Sequence, residues 1–250
     1  NTLAKSMRNY FNSVIRMNPI NDSRKLAKEA VNFIDISTQN GNVWQLLGSM
    51  NKNNMINSSA PFSWTLAADE KEPTIFRCYI YPHAFELIDI KVYYDDGTDV
   101  EYKKSVRHKY YQTCKQIFDI CLGENDLDGK DIFDVEVEIF NTFGCTDITK
   151  KEKSYNRVST SESLTKYGFD WGELSKSIGF QKTPSFFITN NLNYLKCASD
   201  LLKEKWKSKK WRTYWIYLLL KRIVRITTKW ETIIYDFWGK YQRGQEKLNT

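Results

Sequence analysis

Histidine is scarce in this chain. His83 and His108 are the two present in 250 residues, and they do not form a His-Glu-x-x-His pattern, so the usual zincin metal site cannot be built from them. The five cysteines, Cys78, Cys114, Cys121, Cys145 and Cys197, include no C-x-x-C pair. Zinc-ribbon and thioredoxin-like readings therefore fail. Cys114 and Cys121 fall on one face of a predicted helix, their Cα atoms about 10 Å apart at 1.5 Å per residue. That is too far for a disulfide, so buried free thiols are expected. Glycine and proline number 11 and 5, which argues against long coil. No G-x-x-x-x-G-K-[ST], G-x-G-x-x-G or G-x-S-x-G stretch occurs, which removes the familiar phosphate-loop, dinucleotide and hydrolase-elbow chemistries. No segment reaches the roughly 18 apolar residues of a membrane span. The best run, Tyr214 to Leu220, stops at Lys221-Arg222. The chain opens on Asn1-Thr2-Leu3 without a signal-peptide pattern, as an excised segment would.

What is present supports a folded core. Hydrophobic residues make up 41% and aromatics 15%, and a compact chain of this length buries roughly 70–75% of its unfolded surface. The net charge is +7, unevenly placed. Residues 195–250 hold 14 Lys/Arg against 5 Asp/Glu. Such a basic tail is either a solvated helix face or a surface for nucleic acid or an acidic partner. The nucleic-acid reading rests on "KEKWKSKKWRTYW", 203–215, where lysines could hold phosphates and tryptophans could stack on bases. A helix junction with snorkelling lysine stems fits the same residues.

The periodicity predicts a mainly α domain with a small strand insert. Helices are expected over 3–17 and 23–36, the second with Leu26, Ala30, Phe33 and Ile34 on its inner stripe. A short helix follows at 42–50, then a polar loop to Ser59. Residues 60–82 read as two strands around an acidic turn. Thr98-x-x-Glu101 has capping-box spacing and opens a helix over 99–121, followed by one over about 129–143. Ser159-x-x-Glu162 and Asp170-x-x-Glu173 predict two short helices. Residues 184–190 suggest a short strand, and Asn190 or Asn191 caps the helix after it. Ile216, Leu219, Leu220 and Ile223 form one later stripe. Trp230, Ile233, Ile234, Phe237, Trp238 and Tyr241 form another. "ENDLDGKDIFDVE", 124–136, begins like a calcium loop but has Val135 where the bidentate glutamate belongs. An acidic helix start explains it better. Asn21 and Asn57 head the sequons "NDS" and "NSS", candidate glycosylation sites for a chain on a secretory route.

Several blocks, in order, resemble one family. "SYNRVSTSESLTKYGFDWGELSKSIG", then "FFITN" and "NLNYL", is similar to a region of the neprilysin-like zinc metallopeptidases. That region runs from a Tyr-Asn-x-Met/Val-Thr segment through two short helices to an Asn-x-x-Tyr-Leu helix. "APFSWTLAADEKEPTIFRCYIYP" resembles the family's Pro-Phe strand pair, and "VYYDDGTDVEYKKSVRHKYYQTCKQIFDICLG" its Tyr-Tyr segment and long helix. "TYWIYLLLKRIV" and "FWGKYQRGQEK" are similar to its Trp/Tyr-rich helix and its Phe-Tyr-Gly segment. The family's Gly-Gly-Leu-Gly-Leu-Pro turn is replaced here by "HAFELIDIK", and its Pro-x-Arg-Asp is not kept.

The resemblance implies that residues 1–250 are one N-terminal helical domain that limits access to the substrate chamber. In the family, zinc and the catalytic residues reside in a later domain, on His-Glu-x-x-His and Glu-x-x-x-Asp motifs that match no position here. No catalytic, metal or cofactor residue is therefore assigned in this chain, which is expected to be inactive alone. Zinc is expected in the catalytic domain. The implied partners are that domain of the same polypeptide and peptide substrates. The family's compartments are extracellular or periplasmic, although the cysteines do not match its usual ectodomain disulfides. Two rivals stand beside this reading: a stand-alone, non-catalytic binding or structural protein derived from the same domain, and a basic nucleic-acid-binding helical protein.

Overall fold

The computed structural model describes residues 5–7, 19–52, 60–145, 154–227 and 229–246. The expected helix at 3–17 lies outside these residues, apart from helical Lys5–Met7. So does most of the polar loop before Ser59. The mainly α expectation holds. Helix α1 spans Pro19–Asn40 and α2 spans Val43–Asn51. On α1 the buried residues are Ser23, Ala27, Ala30 and Ile34, whereas Leu26 is exposed. The predicted stripe thus holds at Ala30, Phe33 and Ile34, with Ala27 buried where Leu26 was expected. A capping box starts α2: Gln45 N–H donates to Asn42 Oδ1 at 2.9 Å, and Asn42 N–H to Gln45 Oε1 at 3.4 Å.

Strands β1 (Phe62–Ala68) and β2 (Phe76–Pro82) form the expected hairpin. A strap, residues 83–94, then leads through a 3₁₀ turn, Ile90–Tyr93, toward helix α3 (Val100–Leu122). The predicted Thr98–Glu101 capping box is not made. Asp99 occupies the N-cap in a left-handed conformation, φ 48°, without a side-chain cap bond. Thr98 turns instead to Asp96, which also pairs with Lys103 at 2.5 Å. Glu101 is taken by Lys104. Helix α3 buries Val106, Tyr110, Cys114, Ile117, Phe118 and Cys121, a spacing of three and four that lays one face on the core.

Helix α4 (Gly129–Asn141) is capped by Asp128, whose carboxylate accepts from Lys130 N–H at 2.8 Å. A 3₁₀ turn, Thr142–Cys145, follows. Strand β3 (Asn156–Ser159) was not expected from the sequence. With four residues and Val158 its one buried member, it is too short to show a period of two. The two short helices are present as α5 (Thr160–Thr165) and α6 (Trp171–Ile178). Ser159 and Glu162 make a reciprocal box, while Asp170 caps α6 by accepting from Glu173 N–H. Strand β4 (Phe186–Thr189) joins the others in one sheet ordered β1-β2-β4-β3. Its pairing with β2 is parallel and with β3 antiparallel. The insert and the later strand are thus a single sheet, and its inner face carries Phe62, Trp64, Ile80, Phe187 and Val158. Fully buried Phe169 locks this face to α2, with ring centres 4.8 Å from Trp44, 5.0 Å from Phe62 and 5.3 Å from Phe187.

Helix α7 (Leu192–Lys205) is capped by Asn191, which accepts from Tyr194 N–H at 2.7 Å. Helix α8 (Lys209–Ile223) departs from the expected stripe. Every residue from Thr213 to Leu220 is buried, because α1, α3 and α4 all pack on it. A helix apolar on all sides belongs at the centre of a core. The last periodic segment begins as α9 (Trp230–Ile234) and widens into a π-helix over Tyr235–Tyr241. That turn sets Phe237 against Tyr110, ring centres 5.6 Å apart, and lets Trp238 Nε1 donate to the Glu86 carbonyl at 3.2 Å.

Candidate functional site

The two histidines are not brought together into a metal site. His108 is exposed on α3 and bonds Gln112 at 2.9 Å. His83 sits on the strap, held below its usual pKa by burial and by the nearby cations Lys221 and Arg222, against an opposing pull from Glu86. Those cations repel a metal as they repel a proton. Among the described residues no group of three or more His, Cys, Asp or Glu side chains converges to hold an ion. The donor set does not fit zinc. Cys78, Cys114 and Cys121 are free thiols. Burial pushes Cys78 up to about 11 and Cys121 up to about 12, which makes them poor nucleophiles.

The calcium-like loop is a helix start. Asp128 caps α4, and Asn125 ties the turn by accepting from Leu127 N–H and donating to the Gly123 carbonyl at 2.7 Å. Glu124 and Asp126 face solvent. Asn21 is exposed on α1, while Ser23 of the same sequon is buried. Asn57 lies outside the described residues.

The Lys/Trp stretch resolves into core and rim. Trp206, Trp211 and Trp215 are all buried. Trp211 Nε1 donates to Glu138 at 2.8 Å and Trp215 Nε1 to the Trp206 carbonyl at 3.0 Å. None of the three presents a face for base stacking. Two of the cations are held in ion pairs at the rim. Lys210 pairs with Asp134, and Arg212 makes a two-pronged pair with Asp35 at 2.5 and 2.9 Å. Lys203, Lys207, Lys209 and the paired Lys210 are exposed at the α7–α8 corner.

Several clefts open to solvent around these elements, and two of them bear on the surface. One, about 490 Å³, is apolar and formed by Leu26, Ala30 and Phe33 of α1, Met50 of α2, and Leu219 and Ile223 of α8. The other, about 510 Å³, has a mixed lining and runs between Lys109, Gln112 and Gln116 of α3 and Asp236, Phe237 and Lys240 of the π-helix. Neither gathers a nucleophile, a base and an oxyanion donor, so both are binding surfaces in chemical type.

The most perturbed carboxyl among the described residues escaped sequence reasoning. Glu136 of α4 is 2% exposed. Tyr93 of the strap donates to its Oε2 at 2.7 Å, and Tyr110 of α3 to its Oε1 at 3.0 Å. Burial and the neighbouring Glu86 carboxylate push its pKa up to about 8, against the opposing pull of the two hydroxyls and Lys221. A signal was present: Glu136 lies between Ile132, Phe133, Ile139 and Phe140 at spacings of three and four, in the middle of an apolar face. A carboxyl placed there must be buried.

The model of peptidase family M13, in its N-terminal part, matches residues 1–249. Among solved structures, the Mycobacterium tuberculosis zinc metalloprotease Zmp1 in its open state superposes with a TM-score of 0.71 at 16% identity. The match covers 95% of this chain and 37% of that one. Zmp1 in complex with inhibitor gives 0.63, again at 16% identity, over 95% and 36%. At that identity the likeness shows the fold. None of the curated proteins matches significantly.

Proposed function

From a chain that belongs to peptidase family M13, we infer the work of a non-catalytic helical lobe: it bounds the space through which peptides approach zinc held elsewhere in the polypeptide. One observation carries this reading. The family's N-terminal model runs through 1–249, while the chain spans only about 37% of the length of the solved relative it matches. The reading is supported by an aromatic core, helices fixed by caps and ion pairs, and clefts that open on the surface. Zinc, where a family member holds it, polarises the peptide carbonyl and activates water. This chain's described residues do not fit the ion, so no chemical step is routed through them. Their part is steric and electrostatic: excluding long or folded substrates and presenting exposed lysines at the α7–α8 corner.

The transcript encoding the chain provides the test. Reading past Thr250 should reveal His-Glu-x-x-His followed by Glu-x-x-x-Asp. The 250-residue chain, purified and incubated with zinc and a peptide mixture, should cut nothing. An open reading frame that closes without a zinc motif would refute the lobe reading. Chelator-sensitive cleavage by the chain itself would refute the non-catalytic one.

A further inference from the structure

The strap is tied to the core at points that converge on one buried carboxyl. Leu87 N–H donates to the Tyr93 hydroxyl at 3.3 Å, and that hydroxyl donates to Glu136. Glu86 pairs with Lys221 of α8, both largely buried. Trp238 reaches the Glu86 carbonyl, and Gln242 Oε1 accepts from Ile88 N–H at 2.9 Å. Arg107 holds the Val92 and Tyr94 carbonyls. On its outer side the strap displays Ile88, Ile90 and Tyr94, each about half exposed.

We propose that residues 83–94 form a pH-sensitive strap, clamped while Glu136 is a neutral acid and loosened as Glu136 ionises. This goes beyond the lobe's role in peptide access and does not depend on it. Glu136 meets tyrosine hydroxyls from two elements, Tyr93 and Tyr110. It faces Cys114 on α3, and Tyr214 and Tyr217 on α8, none of which carries positive charge. The cation in reach, Lys221, is already engaged by Glu86. An ionised Glu136 accepts more strongly from the two hydroxyls, but it sits fully buried beside a second carboxylate, and that cost outweighs the gain. Lifting the strap removes Tyr93 and Glu86 and lets water reach the carboxylate.

The sign follows from linkage. A carboxyl whose folded pKa is raised favours the closed form below its ordinary value and loses that preference as pH climbs to the folded one. His83 also belongs to the strap, and its lowered pKa confines its own titration to more acidic solution.

Hydrogen exchange on the whole 250-residue chain, corrected for intrinsic rates, reads the opening directly. Peptides covering 85–94 should lose protection roughly tenfold between pH 6.5 and 8, while the β1–β2 hairpin stays level. Glu136→Gln is isosteric with the neutral acid and its amide can donate to Tyr110, so its strap should be flat with pH. A flat wild-type strap, an equal loss in Glu136→Gln, or an equal loss in the hairpin overturns the proposal. Should Glu136→Gln fail to fold, carbon-13 labelling of the glutamate carboxyls in the wild type decides. One carboxyl titrating near pH 8 in step with strap exchange supports the strap, and its absence overturns it.

Discussion

Gly129 is where helices α3 and α4 touch backbone to backbone. A Cβ built on it would lie 2.0 Å from the Tyr111 carbonyl oxygen and 2.9 Å from the carbonyl carbon. Carbon–oxygen contacts settle at about 3.3–3.6 Å, so Gly129→Ala forces the helices apart by more than about 1 Å. The atoms met are backbone and cannot rotate away. Overpacking of this kind costs about 1–3 kcal/mol, occasionally more. The better helix propensity of alanine, worth up to about 1 kcal/mol in a helix interior, offsets little at the first turn. The separation also lengthens the bond from Tyr110 to Glu136, which spans the same two helices. A net loss of about 3 kcal/mol is expected, a large share of a typical stability of about 5–15 kcal/mol. For a chain this long, that lowers the melting temperature by roughly 6–12 °C. Gly144→Ala is the matched control, since a methyl added there would meet no atom within 4 Å and the residue is exposed. Thermal unfolding of the two variants side by side is the assay. A Gly129→Ala protein melting within about 2 °C of wild type would show that the approach of α4 to α3 is not set by this residue.

Two further outcomes follow from the sheet side of the domain. Phe169→Ala removes the ring that joins Trp44, Phe62 and Phe187 and should cost about 3–5 kcal/mol. Urea titration should show this as a lower midpoint with an unchanged slope. Asp69 organises the hairpin turn. Burial raises its carboxyl, but the amides of Lys71 and Glu72, the Tyr155 hydroxyl and Arg77 outweigh that and hold it below the usual range. A lowered carboxyl contributes stability above its ordinary value, near pH 4, and loses it as pH falls through the folded value. Hydrogen exchange of the β1–β2 hairpin should therefore accelerate on acidification below about pH 4, and Asp69→Asn should remove that dependence.

The elements most legible in the sequence were those whose own side chains decide them. Ser159 and Glu162 close a box within four residues, and Asn191 caps α7 through its own amide oxygen. The hairpin shows its period of two over seven-residue strands. What could not be read depends on partners distant in the chain. Parallel pairing of β2 with β4 joins Tyr79 to Ile188, and neither strand carries a mark of the other. The all-round burial of α8 reflects three helices packing on it, where an isolated stripe would have faced one. The Thr98–Glu101 box failed because Asp96 and Lys104 captured its members first. The Lys/Trp stretch allowed two readings until the indole nitrogens were seen bonded inward. Glu136 stands between these cases. Its helical position declared burial, but the hydroxyls that meet it come from residues 26 and 43 positions away.

That division bears on why a lobe of this kind leaves so faint a chemical trace. Catalysis fixes residue types at fixed spacings, because protons and metals demand particular atoms at particular distances. The chamber-bounding role proposed above would demand volume, rigidity and surface charge, and many side chains supply each. At 16% identity the fold persists over 95% of this chain, as expected where selection acts on packing. A core of large aromatics tolerates exchange of one apolar residue for another while total volume and patterning are kept. The positions least free to vary are then those with no isosteric substitute: Gly129, where only hydrogen fits beside the Tyr111 carbonyl, and Phe169, where three aromatic neighbours share one ring. Sequence motifs built from reactive groups are blind to both, and the physical constraint on the lobe lies there.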